Sequence, residues 1–382
     1  MKTARLLAVI VVLVTAASLA VTGEKTWIDK RCKFLELPVG MVGPFVELSD
    51  GSLLVVKGDA TRVSRDDGKT WSEPQAIYTG PKPGIPDESG VLLRTRDNVI
   101  VLVYMDISTL QWGWNKEAGE AVENARLDVW SIRSLDGGKT WVNRQRILEG
   151  YCGALIDIIE TKTGHIVVPV QLLLRKPGRH ALSTYVSTDA GKSWKQSNII
   201  DLGGHGHHDG AMEPTLVELN DGRLWMLIRT NWDRFWEAYS LDHGYSWRIL
   251  QPTTIDASSS PGFLTRLASG RLVLVWNRLY PSGTNTVARR NDNGLSEAAA
   301  SWQREELSIA FSDDDGKNWN EPVVFARLAA GEPIQLGEGR KMRMDGLSYP
   351  TIFERRKGEL WITTRYQGHL RVVLREDQFV QK

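Results

Sequence analysis

One octapeptide recurs five times along this chain of 382 residues, and so regular a recurrence confines the fold to an array of small, similar β-units. The copies are SRDDGKTW from Ser64, SLDGGKTW from Ser134, STDAGKSW from Ser187, SLDHGYSW from Ser240 and SDDDGKNW from Ser312. All share Ser-x-Asp-x-Gly-x-(Thr/Ser/Asn)-Trp. An Asp side chain accepts backbone N–H bonds within a tight turn, and Gly admits a positive φ. The Trp supplies a large ring to pack under a neighbouring sheet. These residues are therefore structural and mark turns, not chemistry.

Each octapeptide is preceded by two strand-like runs joined by a polar turn. The runs are FVELSDGSLLVVKG from Phe45, GVLLRTRDNVIVLVYM from Gly90, LIDIIETKTGHIVVPVQ from Leu155, TLVELNDGRLWMLIRT from Thr215 and GFLTRLASGRLVLVWN from Gly262. A sixth copy, TIFERRKGELWITTRY from Thr351, has no octapeptide after it. Six units of four short antiparallel strands predict an all-β, six-bladed β-propeller over residues 23–382. The stretch Trp27 to Leu37 is expected to supply the outer strand that the last blade lacks, which closes the ring and removes an exposed edge.

Composition narrows the partners. With 47 basic and 46 acidic residues the net charge is +1, so no overall field favours nucleic acid or an anionic membrane. Of 15 Trp, five sit in the octapeptides, leaving ten for packing or for stacking on sugars. Residues 1–22 read as a secretory signal: Lys2 and Arg5, an apolar run from Leu6 to Val14, then Ser18-Leu19-Ala20 as a small-residue cleavage site. The alternative, an uncleaved anchor, meets the difficulty that a membrane span needs roughly 20 apolar residues. Export to the periplasm or medium is the expectation, with no membrane association after cleavage. Cys32 and Cys152 are packed thiols or one optional bridge.

In such a blade the start of the innermost strand A, the end of strand B and the B–C loop share one face, and the octapeptides, in C–D turns, mark the other. The near face collects Asp59 from unit one, Asp87, Glu88 and Asp106 from unit two, and Gln171 from unit three. Unit four adds His205, His207, His208, Asp209, Glu213 and Arg229, unit five Asn277, Arg278 and Arg304, and unit six Tyr349, Arg365 and Tyr366. Carboxylates, arginines and a tyrosine gathered in one pit suit glycoside chemistry.

These residues give the chain a resemblance, over nearly all of its mature length, to the sialidases, exo-acting glycoside hydrolases. Glu213 and Arg229, in GAMEPTLVELNDGRLWMLIRT, match in type and spacing a Glu and an Arg that the family carries in its fourth blade. Arg304, in REELSIAFSDDDGKNW, stands where the family has its next arginine, and Tyr349, in LSYPTIFE, where it has its nucleophile. The resemblance implies retaining cleavage of a terminal sialic acid or other acidic sugar on a glycan, without a cofactor or metal ion. Tyr349 would attack the anomeric carbon while Glu213 takes its proton, and Arg229 and Arg304 would clamp the substrate carboxylate.

Three departures qualify that pattern. Sialidases open blade one with Arg-Ile-Pro, whereas this chain has Val42-Gly43-Pro44, so two of three clamp arginines remain; Arg62 or Arg278 are candidates to compensate. The acid/base carboxylate is assigned to Asp59 in a short B–C loop, with Asp87 or Asp106 as alternatives, and Asp87 is also a substrate-binding candidate. In GGHGHHDGAMEP from Gly203, His207, His208 and Asp209 would hydrogen-bond a sugar, act as acid/base or ligate a metal, or else cap backbone groups in a loop. Two other functions fit the same residues: a polysaccharide lyase with Tyr349 or a histidine as base, and a non-catalytic carbohydrate-binding propeller.

Overall fold

The computed structural model describes residues 26–38, 41–78, 90–280, 299–328, 346–366 and 370–380, with 285, 287, 289–290, 335–336 and 340–341 between them. Six antiparallel sheets follow one another along the chain, the first five laid down from strand A outward to strand D. Blade one comprises Phe45–Glu47, Leu53–Lys57, Ala60–Ser64 and Gln75–Ala76. Blade two has Gly90–Arg94, Ile100–Met105, Val129–Ser134 and Val142–Leu148. Blade three has Ile159–Glu160, Ile166–Arg175, Gly178–Ser187 and Lys195–Gln196. Blade four is formed by Met212–Glu218, Leu224–Arg229, Arg234–Ser240 and Leu250–Asp256. Blade five has Phe263–Arg266, Leu272–Trp276, Glu306–Ser312 and Val323–Leu328. Blade six contributes Ser348–Arg356, Glu359–Tyr366 and Arg371–Arg375 from the end of the chain.

The expected closure holds and is more extensive than foreseen. Lys33–Phe34 pairs antiparallel with Arg371–Arg375 and completes blade six. Thr26–Ile28 pairs with the outermost strand of blade five, Thr26 opposite Leu328, so that blade has five strands. The N-terminal segment thus covers two sheet edges, which is where unpaired backbone groups would otherwise be exposed.

Six apolar clusters hold the ring together, one in each gap between neighbouring blades. Strands A and B are buried on both faces, and their side chains alternate between the two gaps that flank a blade. In blade four, Leu216, Leu224, Met226 and Ile228 enter the gap toward blade three, while Val217, Trp225 and Leu227 enter the gap toward blade five. Period-two alternation of apolar residues is therefore what makes each blade adhesive on both sides.

The octapeptides fill the outer part of these gaps. In the copy from Ser240, the Ser240 hydroxyl donates to Asp242 Oδ1 at 2.8 Å and accepts the Gly244 amide at 2.8 Å. Asp242 in turn accepts the Ser246 amide and hydroxyl at 2.8 and 2.6 Å. Equivalent bonds recur in the other four copies. Trp247 reaches into the preceding blade, where its Nε1 donates to Thr184 Oγ1 at 2.8 Å. Gly244 has φ +93°, and a Cβ there would stand 2.9 Å from a Val167 methyl, so both conformation and space require glycine. Blade six lacks the octapeptide, and Phe379, after the turn Glu376–Gln378, is buried in the gap toward blade five.

Cys32 and Cys152 are unbonded and buried in different gaps, five–six and two–three, on opposite sides of the ring, so the optional bridge is not formed. Burial pushes both thiols up to about 12. Among the described residues no helix is long and apolar enough to cross a membrane, and residues 1–22 lie outside them.

Candidate active site

Glu213 and Tyr349 occupy the same place in two different blades, at the start of strand A, and each is followed by proline. Both have a positive φ, +42° and +56°. The left-handed region is unfavourable for side-chain-bearing residues and costs about 1–3 kcal/mol each, so the surroundings must enforce it. At Glu213 a register irregularity between Met212 and Thr215 accommodates the turn, and the Gln171 side chain of blade three accepts the Glu213 amide at 2.9 Å. The result aims both side chains at one point. Blade one has Gly43-Pro44 at the corresponding place, with φ +101° and no side chain to present.

At that point the Tyr349 hydroxyl donates to Glu213 Oε1 at 2.6 Å, and the Arg229 guanidinium binds Glu213 Oε2. Arg229 Nη1 also lies 3.5 Å from the tyrosine oxygen. Glu213 and Arg229 are 8% and 2% exposed, and Tyr349 is half-buried above them. Burial by itself would raise the Glu213 pKa, but the charge of Arg229 and the bonds from Tyr349 and Arg229 outweigh it and hold the carboxyl below its ordinary value. The Tyr349 phenol is pushed well up, first by burial and then by the Glu213 charge, against the pull of Arg229 and Arg304. The resting site therefore holds a carboxylate beside a protonated phenol, a base already bonded to the proton it would remove.

Arg304 is buried beside this pair. Its Nη2 donates to the Ser259 carbonyl at 3.0 Å, and its guanidinium lies 5.5 Å from the Tyr349 ring centre. Ser259 Oγ accepts from Arg229 Nε and Nη2 at 3.2 and 3.0 Å and donates to Asn231 Oδ1 at 2.7 Å. Trp302 lies against both arginines, 5.4 Å from the Arg229 guanidinium and 5.1 Å from that of Arg304. Two guanidiniums thus lie against one aromatic ring, and guanidinium groups are suited to binding a carboxylate. Ser259, Asn231 and Trp302 were not foreseen. Ser259 lies in the uninformative run Ser258-Ser259-Ser260, and Trp302 lies outside any octapeptide, among the ten tryptophans that composition left open.

The other expected residues divide. His208 is near the clamp, with its ring 5.6 Å from Trp302, and its carbonyl accepts from Asn231 Nδ2. His207 lies 4.1 Å from His208. Asp209 is buried and braces the loop, accepting the His205 and Gly210 amides at 3.2 and 2.8 Å. Asn277 ties Glu306 and Leu347 carbonyls together at 2.8 and 2.7 Å, a supporting role behind Arg304 and Tyr349. Asp59 is exposed in the turn between Lys57 and Ala60 and makes no side-chain bond to Tyr349 or Glu213. Asp106 caps a short turn, accepting the Ser108 amide at 3.1 Å, and faces Arg144 at 3.4 Å. Arg278 is paired with Asp256 at 3.0 Å, and Arg62 is turned to the Ser72 carbonyl at 2.9 Å, so neither takes the place of the missing blade-one arginine. Val42 stands there instead, buried, with its carbonyl accepting from Thr363. Asp87 and Glu88 lie outside the described residues, as do the side chains of Arg365 and Tyr366. Among the described residues no group of three or more His, Cys, Asp or Glu side chains is placed to hold a metal ion.

Comparison with known proteins places the family and the fold. The family described as BNR repeat-like domain matches residues 60–362. A sialidase of Clostridium perfringens is 27% identical over 214 residues, 50% of this chain and 53% of that protein. A sialidase of Micromonospora viridifaciens is 25% identical over 283 residues, 69% of this chain and 40% of that protein. The chain thus spans about half the length, or less, of the curated relatives it matches. Among solved structures, the Hadza microbial sialidase Hz136 superposes with a TM-score of 0.58 at 15% identity, covering 89% of this chain and 66% of the other, which is a likeness of fold.

Proposed function

The chain belongs to the BNR repeat-like domain family of the sialidase superfamily, and on that premise we propose that it is an exported, retaining glycoside hydrolase acting on a terminal sialic acid or another acidic sugar. The observation that carries the reading is the buried constellation Tyr349–Glu213–Arg229 with Arg304 beside it. Arg229 and Arg304 bind the substrate carboxylate, which sets the ring with its anomeric carbon over the Tyr349 oxygen. Glu213 takes the phenolic proton as the oxygen forms a bond to that carbon and the glycosidic bond breaks. The leaving oxygen takes a proton from the acid/base group, for which Asp59 and Asp87 are the candidates. Water, giving a proton back to that group, then attacks the anomeric carbon, and the tyrosyl–sugar bond breaks as the phenolic oxygen recovers its proton from Glu213, which releases the sugar with retained configuration. A neutral phenol receives an anionic sugar without the repulsion that a carboxylate nucleophile would impose.

Residues 1–22 act as the signal in this reading, and 23–382 form the single catalytic domain in the periplasm or medium, with no membrane contact after cleavage. The test is direct. Wild type is assayed on sialosides and uronic-acid glycosides with the anomer of the first product read by proton NMR, and a fluorinated acidic sugar is used to trap the intermediate for peptide mapping. A retained product and a label on Tyr349 are expected. An unsaturated product absorbing in the ultraviolet would establish a lyase, and no turnover of any acidic glycoside would leave the carbohydrate-binding function.

A further inference from the structure

Blade two carries an insertion between Asp106 and Asp128, and its hairpin, Trp114–Asn115 paired with Glu120–Ala121, is secured against blades three and four. His205 Nε2 is hydrogen-bonded with the Gly119 carbonyl at 3.1 Å, and Arg175 donates to the Val122 and Ala125 carbonyls at 3.0 and 3.2 Å. Trp114 lies so close to Gly178 that a Cβ there would come within 2.6 Å of its ring. The insertion is a built part of the near face.

It presents aromatic rings that the cleavage chemistry does not use. Trp112 and Trp114 lie 6.3 Å apart at an interplanar angle of 26°, and Tyr151 is 4.5 Å from Trp112. Trp112 remains 37% exposed despite these neighbours. From it a continuous series of rings leads to the clamp: His207 at 4.5 Å, His208 a further 4.1 Å on, then Trp302 at 5.6 Å, against Arg229 and Arg304. The outer end of the series is aromatic, and among the described residues no guanidinium lies over the Trp112 or Trp114 ring. A pyranose has apolar C–H faces and a polar rim, so nearly parallel aromatic planes at a water-exposed position match a neutral sugar ring better than a charged one.

We propose that Trp112, Trp114 and Tyr151 form a second sugar subsite, which holds the neutral pyranose adjoining the acidic sugar bound by Arg229 and Arg304. This deepens the glycoside-hydrolase reading and rests on it for the identity of the first sugar. The substrate is then an acidic-sugar-capped oligosaccharide, and Trp112 determines specificity for the residue on the leaving side of the scissile bond.

The test compares kcat/KM on an acidic-sugar-capped oligosaccharide with that on the corresponding glycosyl fluoride, whose leaving group is a single atom and cannot reach the platform. Trp112→Ala is expected to lower the oligosaccharide value at least tenfold more than the fluoride value, with Trp112→Phe restoring most of the difference. An equal change on both substrates would overturn the subsite. In parallel, saturation-transfer NMR with neutral hexopyranose disaccharides reads contact with wild type that Trp112→Ala loses. If wild type turns over no acidic glycoside, the proposed reaction fails while this NMR contact still decides the subsite, and its absence there overturns it.

Discussion

Tyr349 and Glu213 are separated by 136 residues and by blade five, yet the phenol donates to the carboxylate at 2.6 Å, and both residues stand in the left-handed region to do so. The bond makes the pair a unit in which neither member acts alone. Tyr349→Phe removes the nucleophile and Glu213→Gln the base, and each is expected to lower kcat by about 10³-fold or more. Near-ultraviolet circular dichroism should stay unchanged for both. Retention of more than a tenth of wild-type turnover in either variant would remove the pair from the chemistry.

The same pair sets the acid limb of the pH profile. The Glu213 carboxyl is held below its ordinary value, burial notwithstanding, by Arg229 and the Tyr349 hydroxyl, so it stays ionised where a free glutamate would protonate. Since kcat/KM needs the carboxylate, the limb governed by Glu213 should lie below the usual range, roughly pH 4.3, and fall about tenfold per unit beneath it. Stability moves in the same sense. A depressed carboxyl contributes stability above its unfolded value and loses it as the pH falls through the folded one. Urea denaturation at pH 7 and pH 3 should therefore show a smaller acid loss for Glu213→Gln than for wild type.

Arg229 and Arg304 should separate in assay. Arg229→Ala strands Glu213 as a buried, unpaired charge and is expected to destabilise the fold by about 3–5 kcal/mol in chemical denaturation. Arg304 Nη2 donates to the Ser259 carbonyl, and Arg304→Lys keeps a charge while losing the planar fork. Its expected effect is a KM raised roughly tenfold or more for acidic glycosides, from the loss of one charge-assisted bond worth about 1.5–3 kcal/mol. A neutral glycoside of the same leaving group should be unaffected by it.

The turns of the far face should matter to stability alone. Gly244→Ala places a methyl 2.9 Å from Val167 at φ +93°, whereas Gly222→Ala, at φ +87°, meets nothing within 4 Å. Both pay the left-handed penalty of about 1–2 kcal/mol, and only Gly244→Ala adds overpacking of about 1–3 kcal/mol. The difference between their unfolding free energies isolates the packing of an octapeptide on the preceding blade, and kcat/KM at 25 °C should match wild type in each.

Cys32 and Cys152 should react with a thiol reagent only after unfolding. Both thiols are buried and raised to about 12, which leaves little thiolate at neutral pH. Two equivalents per chain in denaturant without reductant, and close to none under native conditions, are the expected counts.

The turns and hairpins were legible because they repeat: five octapeptides and six strand pairs specify blades through local chemistry alone. Glu213, Arg229, Arg304 and Tyr349 were legible because each sits beside such a landmark, at a strand end or two strands from an octapeptide. Ser259, Asn231 and Trp302 were not, since they enter the site by packing between blades four and five, which no local pattern encodes. Arg278 misled for a related reason. Its position at the end of a B strand is right for the near face, but Asp256 at the end of the neighbouring blade's outer strand captures it. The aromatic hairpin of blade two likewise depends on a contact between residues 119 and 205, visible only once the ring is closed.

The two short strands at the start of the chain have a bearing on biogenesis. Thr26–Ile28 and Lys33–Phe34 have no partners until Val323–Leu328 and Arg371–Arg375 have been synthesised, so these strands precede their partners by about 300 residues of chain and are the last to find their place. Such long-range pairing slows folding and leaves partly assembled arcs with sticky ends. A nascent chain that stops short of blade six therefore yields an open arc with two adhesive faces and a dangling latch, a natural client for chaperones and proteases.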